Sequence, residues 1–247
     1  MGISIQRLVT KGNALFLAYD QGLEHGPTDF NDKNVDPLYV IKLAKQGGFN
    51  AFICQKGIAQ AYRQQIKVPL IIKLNGKTNL VKGEPISNQV CSVKEAKRLR
   101  AAAVGYTLYI GSELEAEMFA EFGHIQEEAH KLKLPVVAWI YPRGSGVSKR
   151  REKTLMSYAA RVGLELGADI IKIKYNGNPK DLAWAVKCAG KTKIVISGGM
   201  KTGEAQLIKQ VKEIKKSGCL GLAIGRNIWQ HPQPLTLTNK IRKIVLR

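Results

Sequence analysis

The chain has 247 residues, 45% of them hydrophobic and 23% charged, with 24 Gly and 9 Pro. Such a composition excludes an intrinsically disordered, collagen-like or coiled-coil chain. Lys plus Arg total 39 against 19 Asp plus Glu, and the net charge of +20 gives a field that attracts nucleic acid and phosphorylated metabolites alike. The lysines are diffuse, only Lys149-Arg150-Arg151 forms a short run, and no helix-turn-helix, zinc-finger or RNP pattern occurs, so no specific nucleic-acid partner is expected. No apolar run approaches the roughly 18 residues of a membrane span, and no secretory apolar stretch follows Met1-Gly2-Ile3-Ser4. Cys54, Cys91, Cys188 and Cys219 are scattered without a C-x-x-C pair, which predicts reduced thiols in a cytoplasmic protein.

In chain order, a β-branched run predicts a strand over 14–19, and an amphipathic stretch a helix over 37–46. Strands follow at 51–54 and 70–74, then a helix at 93–100, a strand at 104–109 and a helix at 113–132. Strand and helix alternate again at 136–140 and 154–166, 170–174 and 179–189, and 194–196 and 202–217, before a last strand at 221–224. Ser92 before Glu95 and Ser112 before Glu115 read as capping boxes, and Gly47, Gly167, Gly190 and Gly218 as helix stops. Eight strands separated by helical segments, without linker or repeat, predict an α/β fold, a single (β/α)8 TIM barrel over 1–247. The rival, a doubly wound open sheet, lacks its Gly-x-Gly-x-x-Gly turn.

In a barrel, chemistry sits where strands end. The first strand runs out into Asp20-Gln21-Gly22-Leu23-Glu24-His25-Gly26-Pro27. The sixth reads Ile170-Ile171-Lys172-Ile173-Lys174-Tyr175, and alternation puts the isoleucines toward the helices and both lysines into the barrel. A buried lysine pairs or loses its proton, and a second ammonium nearby lowers its pKa further, as in enzymes that form Schiff bases. Trp139, Tyr141 and Arg143 share one face at the end of the fifth strand, offering an aromatic wall, a phenol and a phosphate-binding guanidinium. Ser197-Gly198-Gly199 and Gly225-Arg226-Asn227 follow strands seven and eight, where barrels often build a phosphate site. The third strand adds Lys73. His25, His124, His130 and His231 show no metal-ligand spacing and no G-x-S-x-G elbow occurs, so no metal is expected and a lysine nucleophile remains.

With these residues in view, the chain closely resembles the archaeal-type class I fructose-1,6-bisphosphate aldolases over nearly its whole length. The resemblance rests on Leu17-Ala18-Tyr19-Asp20 with Glu24-His25-Gly26-Pro27, Lys73-Leu74-Asn75-Gly76-Lys77-Thr78, and Gly105-Tyr106-Thr107 with Tyr109. Tyr141-Pro142-Arg143-Gly144, Lys172-Ile173-Lys174-Tyr175, Ser197-Gly198-Gly199 and Gly225-Arg226-Asn227 complete it. It implies Lys172 as imine-forming nucleophile, Tyr141 as general acid/base and Asp20 in orientation and proton transfer. It also implies substrate contacts from Gln21, His25, Asp29, Gln55, Trp139, Arg143 and Lys174, with Ser197, Gly198, Gly199, Gly225 and Arg226 as phosphate cup. The implied reaction is reversible cleavage of fructose 1,6-bisphosphate to dihydroxyacetone phosphate and glyceraldehyde 3-phosphate, without a cofactor, in a large homo-oligomer, commonly a decamer. Ser145 and Gly146 stand where a more glycine- or lysine-rich phosphate loop is expected. The nearest alternative is a Schiff-base synthase on the same fold, of the 2-amino-3,7-dideoxy-heptulosonate type, or the thiolase-like enzyme of autoinducer breakdown. From another class, the net charge suggests a basic nucleic-acid-binding barrel without catalysis. The run Lys149-Arg150-Arg151, following the Tyr141 loop, is expected to steer a bisphosphate inward.

Overall fold

The computed structural model describes residues 3–147, 152–199 and 201–247, so the basic run Lys149-Arg150-Arg151 lies outside the described residues. Eight parallel strands close into a barrel in chain order: β1 (Ala14–Ala18), β2 (Ala51–Gln55), β3 (Leu70–Lys73), β4 (Ala103–Leu108), β5 (Val136–Ile140), β6 (Ile170–Lys174), β7 (Lys193–Ser197) and β8 (Gly221–Ile224). The ring closes by β1 pairing with β8, Phe16 opposite Ala223. The fold is the predicted TIM barrel. Alternation along each strand divides the apolar residues into two layers. Phe16, Ile53, Ile71, Val137, Trp139 and Val195 fill the barrel, while Leu15, Leu17, Phe52, Ile72, Val104 and Ile171 pack outward against helices.

The helices are α1 (Gly22–His25), α2 (Pro37–Gln46), α3 (Lys56–Ala61), α4 (Val93–Arg98), α5 (Glu115–Lys131), α6 (Glu152–Glu165), α7 (Pro179–Cys188), α8 (Glu204–Lys216), α9 (Arg226–Trp229) and α10 (Pro234–Val245). Their starts follow capping chemistry. Asp36 and Asn178 each accept backbone N–H bonds ahead of a proline at the first position of α2 and α7, and Ser92 Oγ accepts from Glu95 N at 3.1 Å. α8 buries Leu207, Val211 and Ile214 on one stripe.

One local expectation changes, and others gain detail. α5 begins at Glu115, not 113: Ser112 Oγ closes a turn on Leu114 N, and Glu115 reaches back to accept from Gly111 N at 2.6 Å, so Ser112 is not the cap. α2 stops at Gly47 as expected, with the left-handed turn on the next residue, Gly48 (φ 62°). The helical segments after β2 and β8, for which no bounds were read, include the short helix α3 and the closing helix α10; α10 buries Leu237, Ile241 and Val245 at four-residue spacing and packs on α8.

One glycine connects the fold to the barrel mouth. A Cβ on Gly105 of β4 would lie 1.7 Å from the Trp139 ring, which sweeps across that strand inside the barrel. Only a residue without a side chain lets the indole lie there. Gly105→Ala should therefore displace Trp139 and destabilise the protein by about 2 kcal/mol or more, at the upper end of overpacking penalties. Urea unfolding measures the loss, and a change in tryptophan emission of the folded variant reports the shifted ring.

Candidate active site

At the C-terminal end of the barrel the strand ends enclose a cavity of about 480 Å³. Its floor is charged. Lys172 of β6, Asp20 just after β1 and Lys73 of β3 are all buried, with 5%, 7% and 5% of their surfaces exposed. Lys73 Nζ lies 3.7 Å from Asp20 Oδ2, and Lys172 Nζ sits 4.9 Å above the Trp139 ring. Burial alone would raise the Asp20 carboxyl, but the charges of Lys172 and Lys73 and a backbone hydrogen bond hold it below its ordinary value. Burial lowers the Lys172 amine, Asp20 opposes it, Lys73 adds to the lowering and Glu24 opposes it, and the net is about 8. An amine of that kind carries a useful neutral fraction near neutral pH.

The wall above belongs to β5 and its loop. Arg143 Nη1 donates to Glu24 Oε1 at 2.8 Å, and its guanidinium lies over Tyr109 (5.2 Å) and Tyr141 (5.9 Å). Burial, then the negative charges of Asp20 and Glu24, raise the Tyr141 phenol, so it is fully protonated at neutral pH. Lys174, two residues beyond Lys172, reaches the rim 5.7 Å from the Tyr141 ring. Partial burial lowers its amine, Arg143 and Arg226 add to the effect, and Glu24 opposes it. Lys174, Arg143 and Arg226 thus gather at one mouth, an arrangement complementary to an anion.

Opposite, Ser197, Gly198, Gly199, Gly225 and Arg226 line the cavity. Asn227 holds the two loops together, accepting from Thr202 N at 3.0 Å and donating to Gly198 O at 2.8 Å. A Cβ on Gly225 would meet Ala18 O at 2.5 Å, so the turn into α9 can lie against β1 only as glycine. Ser197 Oγ and Gln21 Nε2 are buried without a hydrogen-bond partner among the described residues, polar atoms left open beside the cavity.

Of the residues expected to form the site, Asp20, Gln21, His25, Trp139, Tyr141, Arg143, Lys172, Lys174, Ser197, Gly198, Gly199, Gly225 and Arg226 line this one cavity. Asp29 and Gln55 stand behind it. Asp29 accepts from His25 Nδ1 at 2.5 Å and Arg226 Nη1 at 3.4 Å, bracing both. Gln55 Nε2 turns to Asn75 O at 3.1 Å, an Asn that in turn bonds Thr107 and Ser87 and holds the end of β3 to β4. Lys73, at the end of β3, and Glu24, the partner of Arg143, were noted at strand ends in the sequence without a role, and both line the same cavity. Among the described residues no cluster of three His, Cys, Asp or Glu side chains is placed to hold a metal ion.

A family model described as DeoC/LacD family aldolase matches residues 14–231. The chain is 48% identical over 238 residues to a class 1 fructose-bisphosphate aldolase of Thermoproteus tenax, the match spanning 95% of this chain and 90% of that one. It is 37% identical over 238 residues to a fructose-bisphosphate aldolase/6-deoxy-5-ketofructose 1-phosphate synthase of Methanocaldococcus jannaschii, spanning 90% and 77%. A solved archaeal fructose-1,6-bisphosphate aldolase, its catalytic lysine covalently bound to the carbinolamine intermediate of the substrate, superposes with a TM-score of 0.92 at 46% identity, covering 99% of this chain and 97% of that one.

The charges around Lys172 set its titration, and the signs differ for its two neighbours. Reductive methylation of Lys172, followed by peptide mass spectrometry across pH, should show a midpoint near 8 rather than the ordinary 10.5. Asp20→Asn removes the charge that favours the ammonium and should lower the midpoint. Lys73→Met removes a competing ammonium and should raise it. A midpoint near 10.5 in the unaltered protein would mean a solvated amine.

Proposed function

The chain belongs to the DeoC/LacD aldolase family, and we propose that it is a class I fructose-bisphosphate aldolase that cleaves fructose 1,6-bisphosphate reversibly through a Schiff base on Lys172. The observation that carries the assignment of the nucleophile is the enclosed Lys172 amine, lowered to about 8 beside the ionised Asp20. At pH 7 roughly a tenth of such an amine is neutral.

Neutral Lys172 attacks the C2 carbonyl, and loss of water leaves a protonated imine. The site suits this cation: Asp20 lies in the same buried cluster and the Trp139 face lies under the nitrogen. The iminium then draws the electron pair of the C3–C4 bond to give an enamine; Tyr141, which has given its phenolic proton to the C2 hydroxyl leaving as water, takes the C4 hydroxyl proton as the aldehyde leaves. Protonation at C3 and hydrolysis of the imine release dihydroxyacetone phosphate. In the reverse direction the protonated Tyr141 phenol, favoured by burial, is ready to donate to the aldehyde oxygen. Asp20, ionised, orients the amine and is placed to relay protons in carbinolamine formation.

The substrate class is a phosphorylated sugar. Ser197, Gly198, Gly199, Gly225 and Arg226 form the cup for one phosphate, and Arg143 with Lys174 supports a second on the other side of the mouth. Cations on both sides favour the bisphosphate over a substrate with a single phosphate.

Borohydride trapping with dihydroxyacetone phosphate, read by intact mass and peptide mapping, tests the reading. A reduced adduct on Lys172 is expected. An adduct on Lys174 would move the nucleophile, and folded protein without any adduct would overturn the Schiff-base assignment. Tyr141→Phe should keep the adduct yet lower kcat for cleavage by about 10²–10⁴-fold, the range of a lost acid/base group.

A further inference from the structure

The +20 charge is not spread evenly over the barrel. Because all eight strands are parallel, every segment that leads into a strand falls at the end opposite the cavity, and the end of α10 joins it there through Lys215. Segments 3–13, 45–50, 62–69, 97–102, 130–135, 165–169, 187–193, 215–220 and 242–247 make up that end, and contacts tie them together: Lys215 Nζ donates to Asn13 Oδ1 and Val245 O, and Lys97 Nζ to Leu132 O. These segments hold 18 of the 39 Lys and Arg but 2 of the 19 Asp and Glu, a net +16. The rest of the chain is nearly balanced. All of the 18 except Arg63 and Lys215 are exposed.

Two ordinary explanations fall short. Lys and Arg favour helix C-termini, but eight such ends carry about half a negative charge each, roughly −4 in all. Nor does the charge serve the cavity. A five-residue strand spans about 17 Å, and the Debye length at physiological salt is about 8 Å, so this face is screened from the mouth.

One part of the face forms a receptacle. Arg63, Lys67, Arg98 and Arg100, with Gln64 and Ile66, surround a hollow of about 590 Å³ between the ends of α3 and α4, and no carboxylate lines it. None of the four cations makes an ion pair within 4 Å among the described residues. Arg63 Nε is buried without a hydrogen-bond partner, and Arg100 holds a left-handed backbone (φ 61°), rare for a residue with a Cβ. Five-donor guanidiniums around a space free of carboxylate match phosphate oxygens.

We propose that this end of the barrel is a sequence-blind binding surface for a phosphodiester backbone, single- or double-stranded, with the Arg63–Arg100 hollow as its principal seat. Among the described residues, none of the exposed large hydrophobics, Leu80 and Trp184 included, lies in these segments. The face therefore offers neither the apolar anchor of a membrane-binding surface nor the aromatic platforms that stack bases. What it offers is charge, which holds a backbone and reads no sequence.

The test is fluorescence anisotropy with a labelled 24-nucleotide single strand, in two unrelated sequences, and the corresponding duplex, across a salt series. The altered protein is Lys67→Gln/Arg98→Gln/Arg100→Asn, three exposed positions, with asparagine chosen because it tolerates the left-handed backbone. Both sequences should bind alike. The triple variant should bind at least tenfold more weakly at low salt, with the salt slope for the single strand reduced by about 2, close to 0.7 per lost contact. Aldolase turnover should be unchanged in the variant and in the presence of oligonucleotide. Equal binding by the variant, displacement of the oligonucleotide by saturating fructose 1,6-bisphosphate, or binding to phosphatidylserine vesicles but not to either oligonucleotide would each overturn the proposal. The binding readout needs no turnover, so it stands or fails separately from the aldolase assignment.

Discussion

Burial takes protons from an amine and gives them to a carboxylate, and at the mouth of this barrel the two effects meet in one small volume. Lys172, Asp20 and Lys73 share an enclosure that would be unfavourable for any one of them charged and alone. Together they settle at an intermediate point. The two ammonium-bearing side chains keep Asp20 ionised, and Asp20 in turn keeps Lys172 from losing its proton altogether. With Lys73 removed the cluster would have one cation for one anion and a less reactive amine. With Asp20 neutral, the amine would titrate lower and the later cation would lose its counter-charge.

Much of the scaffold can be read as holding that enclosure shut. Trp139 closes it from β5, and the indole can lie there only because β4 supplies Gly105. Asn75, fully buried, bonds Thr107 and Ser87 just past β3 and so fixes the strand end that carries Lys73. Trp229 Nε1 donates to Ala18 O, pinning α9 against β1 two residues before Asp20. Apart from Trp139, none of these groups enters the cavity chemistry, yet each limits how far a charged side chain can relax toward water.

The alternation of Ile171 and Ile173 with Lys172 and Lys174 was legible from sequence because a strand has a two-residue period and isoleucine belongs on the helix side. The structure bears out that division. Lys73 and Glu24 were harder to read. Lys73 follows Ile71 and Ile72 in a strand of four residues, too short for the period to assign its face, and Glu24 sits on a four-residue helix whose partner Arg143 lies 119 positions away. Contacts across that separation exist only once the barrel has closed. Helix α10 had no readable bounds for a different reason: Thr236, Thr238, Ile241, Ile244 and Val245 are poor or middling helix formers, and its helicity comes from docking on α8 and α2. The misplaced start of α5 shows the same limit locally, since Ser112 and Glu115 do make the bonds expected of such residues, but to a preceding turn.

Placing charge at opposite ends of one barrel separates two demands that would otherwise conflict. A site that binds a sugar bisphosphate needs a few cations, each held by a carboxylate or a neighbouring ring until the phosphate arrives, as Arg143 is by Glu24 and Arg226 by Asp29. Long-range positive potential at that mouth would retain every phosphorylated metabolite, product included, and slow release. The far end carries no such restriction. Its lysines and arginines project from turns that connect helices to strands, where they stabilise helix C-termini and disturb no reacting group. A parallel barrel collects all these turns on a single face, so an excess of basic residues there adds up to one field, and solvent ions screen that field around the barrel over a separation of about two Debye lengths.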